Sequence, residues 1–380
     1  MTASRRVLIT GGAGFIGSSL ALKLVGRGHQ VRVLDTLAPQ IHGANADASP
    51  LYRRIVDVVD FHRGSVTDRF AVIGALDGVD VVVHLAAETG TGQSMYAIQH
   101  YSDVNVGGTA VLLDVIANGN LPIRRLLVAS SRAVYGEGAY RCDAHGTVYP
   151  APRTAIAMQA GDFELYCPAC GAVVMMVPTT EDAPVAPQSV YGVTKLTQEQ
   201  LVLTVARALG VGAVALRYQN VYGPGQSLSN PYTGILSIFS TRIRNGNPIN
   251  IFEDGLESRD FVYIDDVVEA TVRALELDSS ALDAYNVGSG VPTDVATIAA
   301  TLQHNFGLTV PVSISGQFRV GDIRHNVADL TRVRAALGFV PTVTVEEGLR
   351  RFVAWVQAEA VQVDTFDASL AELRSRGLLK

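Results

Sequence analysis

No stretch of this 380-residue chain approaches the roughly 18 continuous apolar residues of a membrane-spanning helix. Basic runs are also missing, and the net charge is −6, so an electrostatic grip on nucleic acid is not expected. Arg5-Arg6 precede only Val7-Leu8-Ile9 before glycines begin, which is too short for a signal-peptide core. These absences point to a soluble, cytoplasmic protein with neither membrane nor nucleic acid as partner. Cysteine is scarce: the chain has three, all between positions 142 and 170. That excludes a chain-wide disulfide framework and points to one local site. What is present is ordinary for a globular protein. At 48% hydrophobic and 17% charged, the chain can bury a sizeable core in one large domain or two.

The first organised stretch is Val7-Leu8-Ile9, a short apolar run that reads as a buried parallel strand. Gly11-Gly12-Ala13-Gly14-Phe15-Ile16-Gly17 follows, then a helical run over Ser18–Val25. A glycine-rich turn between strand and helix lets backbone approach a pyrophosphate, and the helix N-terminus offers N–H groups and a positive dipole end. The next apolar run, Val31-Arg32-Val33-Leu34, ends in Asp35, 18 residues past Gly17, where an acid would hold the ribose hydroxyls of NAD. Thr36 and Leu37 follow, with no adjacent arginine for a 2′-phosphate, so NAD is favoured over NADP. Gly11, Gly14, Phe15, Ile16, Gly17 and Asp35 are therefore cofactor candidates. Further strands are expected near 58–63, 79–87 and 126–131, and a helix carrying Asn105 over 103–118. Alternating strands and helices imply a right-handed, doubly wound parallel sheet with ligands at the carboxyl ends of its strands. His84 reads as a packed strand-end histidine.

A helix is expected from near Ser189, which sets Tyr191 and Lys195 four residues apart on one face. An ammonium beside a phenol favours the phenolate, making Tyr191 a candidate general base for a substrate hydroxyl. A solvated surface pair is the bland alternative.

Taken with Ser130-Ser131-Arg132-Ala133-Val134-Tyr135-Gly136, Arg217–Pro224, Arg259-Asp260-Phe261, Asn286-Val287-Gly288 and Gly321-Asp322-Ile323-Arg324, these pieces carry a specific resemblance. The chain resembles the extended short-chain dehydrogenases/reductases of the nucleotide-sugar epimerase/dehydratase family over most of residues 5–355. The resemblance implies an α/β fold, a Rossmann-type sheet with a smaller C-terminal α/β substrate domain. It implies an NAD-binding domain over 1–215 interrupted by an insert at 140–182. Residues 216–380 would then be mainly substrate-binding, with some segments returning to the first domain. It implies that Ser65, Val66, Leu85, Ala86, Ala87 and Asn105 also meet the cofactor, with Ser65 standing where the family often has an adenine-binding Asp. Tyr191 would be the base, Lys195 would hold the nicotinamide ribose and lower the Tyr pKa, and Ser131 would bond the reacting hydroxyl. Asn220, Arg259 and Arg324 become candidates for the diphosphate of a nucleotide-diphosphate sugar, since guanidiniums and an amide suit that group. A homodimer through a helix bundle that includes the Tyr–Lys helix is the default expectation.

The residues after Ser131 narrow the reaction. Dehydratases of this family carry an Asp–Glu pair there, and decarboxylases a Glu at the second place; here the places hold Arg132 and Ala133. Neither can do carboxylate acid–base work. Oxidation at C4, rotation of the keto-sugar and return of the hydride, a 4-epimerisation, needs neither. Arg132 would face C6 of the hexose, where a guanidinium can pair with a carboxylate, so UDP-glucuronate and UDP-galacturonate are favoured. The competing substrate is dTDP-L-rhamnose, through likeness of the cysteine insert and of Ser229–Gly234 to enzymes acting on it. A 4,6-dehydratase or net oxidoreductase and a non-catalytic NAD-binding scaffold remain as further readings.

Cys142-Asp143-Ala144-His145-Gly146 and Cys167-Pro168-Ala169-Cys170-Gly171 lie in the insert. Two short ligand pairs, each followed by Gly, resemble zinc knuckles, and thiolate with imidazole suits a tetrahedral, structural Zn2+. Free thiols, or a redox pair of Cys167 and Cys170, are the alternatives. No role is assigned to residues 361–380.

Overall fold

The computed structural model describes residues 4–230, 232, 234–277 and 280–380. Pro231 and Thr233 of the Ser229–Gly234 stretch lie outside the described residues.

Val7, Leu8 and Ile9 alternate between the two faces of a sheet and are fully buried on both, as a central parallel strand requires. That strand, Arg6–Thr10, lies within a seven-stranded sheet. Across the sheet run Leu282–Val287, Gly212–Tyr218, Arg125–Ser131, Val81–His84, Arg6–Thr10, Gln30–Asp35 and Asp60–Arg63. Every pairing is parallel. One face packs Val7, Ile9, Val33, Val83 and Leu127 against helices Phe15–Gly26 and Ile264–Glu276. The other packs Leu8, Val82, Leu126 and Val128 towards helices Gly108–Asn118 and Val190–Leu209. This is the Rossmann-type architecture, and the order reverses beside Arg6–Thr10, the switch point where ligands bind.

Strand Gly212–Tyr218 spans the expected boundary at 215/216, and Leu282–Val287 forms the far edge of the same sheet. The C-terminal region adds strands Asn220–Tyr222, Ser258–Tyr263 and Pro292–Asp294 in one small sheet, and Ile249–Ile251 with Val312–Ile314 in another. Helix Ile235–Asn245 buries Leu236, Phe239 and Ile243. Helix Val345–Ala358 carries Trp355, half-buried beside Phe352. Within the insert, Tyr140–Cys142 pairs antiparallel with both Gly146–Val148 and Met175–Met176. Among the described residues no helix is long and apolar enough to cross a membrane.

Candidate active site

A cleft of about 1300 Å³ opens along the carboxyl edge of the sheet and continues between it and the C-terminal region. Its first half is built from short local pieces. Gly11 has φ +70°, and a Cβ there would sit 2.8 Å from the backbone nitrogen of Ala86. A Cβ on Gly17 would meet the Gly11 carbonyl at 2.3 Å. Glycine is thus required for the turn to close against the helix and leave a backbone cradle. Gly11, Gly14, Phe15, Ile16 and Gly17 line the cleft, as do Asp35, Ser65, Val66, Leu85, Ala86 and Ala87. The Asp35 carboxylate accepts from Ala13 N (2.9 Å) and Leu37 N (2.8 Å), which fixes it at the end of its strand. These residues fit a dinucleotide: a glycine cradle at a helix N-terminus, an acid one strand away, and an apolar floor. Ser65 Oγ is tied to Thr67, its hydroxyl 2.7 Å from Thr67 Oγ1.

Asn105 differs from expectation. It is fully buried in a π-helical turn, Ser102–Gly107, and does not line the cleft. Its amide oxygen accepts from Glu88 N (2.7 Å), and its amide nitrogen donates to Glu88 O (3.1 Å) and Thr194 Oγ1 (2.9 Å). Asn105 therefore pins the loop after strand Val81–His84 to the helix bearing Tyr191 and Lys195. His84 is a packed histidine as expected. Burial takes its pKa down to about 3, so it is neutral, between Thr10 Oγ1 (2.7 Å) and Thr109 Oγ1 (2.9 Å).

Ser189 caps helix Val190–Leu209, its hydroxyl accepting from Gly192 N at 3.1 Å. The first two turns then present Tyr191 and Lys195 to the cleft, which Ser131 also lines from the end of strand Arg125–Ser131. Burial pushes the Tyr191 phenol up, opposed by its interaction with the Ser131 side chain and then by the positive charge of Arg132. The sequence assigned that pull to Lys195. Instead Lys195 Nζ donates to Gln198 Oε1 at 2.8 Å, and burial draws its pKa down to about 7 against the pull of Glu199. Glu199 itself is held by a buried ion pair with Arg217 and by Ser130 Oγ (2.6 Å).

The second half of the cleft is built from distant segments. Arg132, Asn220 and Arg259 line it as expected. Burial and then the charge of Arg259 lower the Arg132 pKa to about 10, against Asp322, Tyr191 and Glu137. Arg259 donates to the carbonyls of Ser258 (2.9 Å), Arg324 (3.0 Å) and Ile323 (2.8 Å), and lies 3.3 Å from Asp322. Arg324 is corrected. The residue is 1% exposed and does not line the cleft, and its guanidinium pairs with Asp254, Glu253 (3.2 Å) and Glu164 (3.2 Å). A guanidinium with three carboxylate partners has no need of a phosphate. Arg319, five residues earlier, lines the cleft instead, stacked 5.1 Å from the Phe252 ring centroid. Arg319 stands directly before the Val320-Gly321-Asp322 turn, a signal the sequence held but the reading passed over. Asp322 is kept ionised, its pKa down at about 2, chiefly by Arg319, Arg259 and Arg132. Three cations around one carboxylate leave a positive surplus suited to a diphosphate. Side-chain atoms of Gln219, Asn220, Gln226, Asn250, Glu257 and Arg319 are buried on this wall without a hydrogen-bond partner in the protein. Such atoms are costly unless a polar ligand satisfies them.

Residues 361–380 also have a place. Helix Phe366–Ser375 closes one side of the cleft with Phe366, Ser369, Leu370 and Leu373. Tyr96 OH donates to Tyr232 OH (2.8 Å), which donates to Glu372 (2.7 Å), tying the helix to both halves. Cys142, His145, Cys167 and Cys170 come together too, and none of them lines the cleft.

Residues 7–288 match the NAD dependent epimerase/dehydratase family. A dTDP-L-rhamnose 4-epimerase of Burkholderia thailandensis is 38% identical over 358 residues, covering 93% of this chain and 96% of that protein. A probable UDP-glucuronate 4-epimerase of Rhizobium meliloti is 28% identical, covering 92% and 96%. Among solved structures, UDP-glucuronic acid 4-epimerase from Bacillus cereus, in complex with UDP-glucuronic acid and NAD, superposes with a TM-score of 0.76. It shares 25% identity over 93% of this chain and 99% of that one. The chain belongs to the NAD dependent epimerase/dehydratase family.

Proposed function

We propose that this family member is an NAD-dependent isomerase, a 4-epimerase of a nucleotide-diphosphate sugar. The observation that carries the reading is the Ser131–Tyr191 pair at the mouth of the sheet, followed by Arg132 and Ala133 rather than by carboxylates. Tyr191 takes the proton of the sugar C4 hydroxyl and later returns it, while Ser131 orients that hydroxyl. NAD held by the glycine cradle and Asp35 would supply the hydride acceptor and donor that C4 inversion needs. Gly11, Gly14, Gly17 and Asp35 hold the dinucleotide, Lys195 sits at the nicotinamide end, and Arg259, Arg319 and Asn220 receive the diphosphate. With no carboxylate after Ser131, elimination of a C6 hydroxyl has no acid–base partner.

For the sugar, Arg132 supports a uronate such as UDP-glucuronate: it is a cation on the cleft wall within electrostatic reach of Tyr191. The 38% identity to a dTDP-L-rhamnose 4-epimerase supports a 6-deoxyhexose instead. Incubation with each nucleotide sugar, followed by NMR of the C4 configuration, separates them. Conversion of the uronate, lost in Arg132→Ala, gives Arg132 the carboxylate. Conversion of the deoxy-sugar alone keeps the 4-epimerase and removes that role. A keto-sugar accumulating from both, with no epimer, overturns the reading in favour of an oxidoreductase or dehydratase. A homodimer through helix Val190–Leu209, whose Val193 is exposed, completes the reading, and light scattering on the eluting protein measures it.

A further inference from the structure

Two hairpin turns of the insert face each other. Cys142 ends strand Tyr140–Cys142 opposite Gly146, so residues 143–145 are the turn and His145 closes it. Tyr166 bridges Val173 in antiparallel fashion, and Cys167 N donates to Ala172 O (2.8 Å) while Gly171 N donates to Cys167 O (2.9 Å). The residue after the second ligand is in each case a left-handed glycine, Gly146 at φ +70° and Gly171 at φ +73°. These positive φ values turn the chain back so that both side chains of a pair point to one side.

The four ligand atoms all lie within 4.8 Å of one another. Cys142 Sγ is 3.7 Å from Cys170 Sγ, and His145 Nδ1 is 3.6 Å from both Cys142 Sγ and Cys167 Sγ. A tetrahedral zinc with Zn–S of about 2.3 Å and Zn–N of about 2.0–2.1 Å has S···S edges of about 3.8 Å and S···N edges of about 3.6 Å. These three edges match those around one metal, and the remaining three are no longer than 4.8 Å. All three cysteines are free, and an odd number of thiols cannot pair off within the chain. The packing gives the reason. The insert's apolar cluster is Tyr140, Cys142, Val148, Leu165, Cys167 and Val174, two of them ligands, far too small to hold three short strands.

We propose that Cys142, His145, Cys167 and Cys170 bind one structural Zn2+ that staples the insert. All four positions come from protein, so the site is closed to substrate and distinct from the cleft. Binding converts the thiols to thiolates and releases their protons to solvent, with no change of oxidation state. The staple has a purpose beyond the insert. Arg153 reaches from it to Glu253 (2.6 Å), Glu137 (3.5 Å) and the Asp322 carbonyl (3.2 Å), and Glu164 meets Arg324. Glu253 and Asp322 line the cleft, so the metal holds the back of the sugar-facing wall.

The test begins with the full chain purified under reducing conditions without added metal, its content read by mass spectrometry of the elements. One zinc per chain is expected, falling to background in Cys167→Ser/Cys170→Ser. Because that variant can also fail to fold, wild-type protein stripped with a chelator is titrated with Co2+. Tetrahedral thiolate–cobalt absorption at one equivalent, displaced by Zn2+, is the expected result, and His145→Cys is expected to retain it. A metal-free wild type that gives no such absorption overturns the proposal. So does iron in place of zinc, or zinc that stays in the double variant. An inactive enzyme holding one zinc leaves the site standing and counts only against the epimerase reading.

Discussion

The central sheet and the insert solve the same problem with different means. Each must hold short strands together, but the sheet does so with Val7, Leu8, Ile9, Val83 and Leu127, each no more than 1% exposed, in two continuous apolar layers. The insert has six buried residues in its cluster and joins the rest of the chain largely through ions: Arg153 with Glu253 and Glu137, Glu164 with Arg324. Where the apolar area is large, burial suffices and the site can be made of backbone. Where it is small, side-chain chemistry must supply the constraint. The same division runs through the cleft: its cofactor half is formed by glycines and strand ends, its substrate half by charged side chains gathered from distant positions.

The largest effect is expected at the junction of those halves. Tyr191→Phe keeps the ring and the packing but removes the proton acceptor. Turnover should fall about 10³–10⁴-fold, near the upper end for one acid–base group, with bound NAD and the melting temperature little changed. Steady-state kinetics beside cofactor quantification reads both, and a drop under tenfold would remove Tyr191 from the proposed role.

Paired core truncations sharpen the contrast between sheet and insert. Leu127→Ala should cost about 2–5 kcal/mol of global stability in urea unfolding. Leu165→Ala, in the insert's cluster, should leave the global midpoint nearly unmoved and instead speed amide exchange over 138–182. Equal shifts in the two midpoints would mean that insert and sheet unfold as one unit.

A smaller effect separates the two arginines. Arg319→Ala should raise KM for the nucleotide sugar about 10–100-fold with kcat nearly kept, the loss of one charge-assisted contact. Arg324→Ala should act on stability, since it leaves Asp254 without its cation and Glu253 with Arg153 alone. A KM effect confined to Arg324→Ala would restore the original diphosphate assignment.

The smallest effect is on pH dependence. Lys195 has a folded pKa of about 7, lowered by burial, against about 10.4 in the unfolded chain. Between these values the unfolded state binds the extra proton, so stability rises with pH from about 7 towards 10, and the penalty for burying the charge is full below 7. Lys195→Met should flatten that rise in urea midpoints taken at pH 7, 8 and 9. An unchanged slope would mean that Lys195 keeps its proton in the fold.

What the sequence alone determined is the part written locally. The run from Val7 to Gly17, Asp35, Ser189 before Tyr191, and the pairs Cys142/His145 and Cys167/Cys170 each depend on a few adjacent residues, because turns, caps and knuckles close over short spans. The parallel sheet was legible for the same reason, in apolar runs separated by helical ones. Tertiary structure alone decided which charges face the ligand. Arg319 and Arg324 are both arginines beside the same turn, and no local rule tells them apart; Asp254, Glu253 and Glu164 claim one and leave the other on the cleft. Asn105 went to a buried bracket between Glu88 and Thr194 by the same long-range matching of partners. The C-terminal helix became a wall only because Tyr96 and Tyr232, far apart in the chain, meet at Glu372. Backbone chemistry is set by neighbours in sequence, whereas the fate of a buried charge is set by whichever counter-charge the fold brings to it.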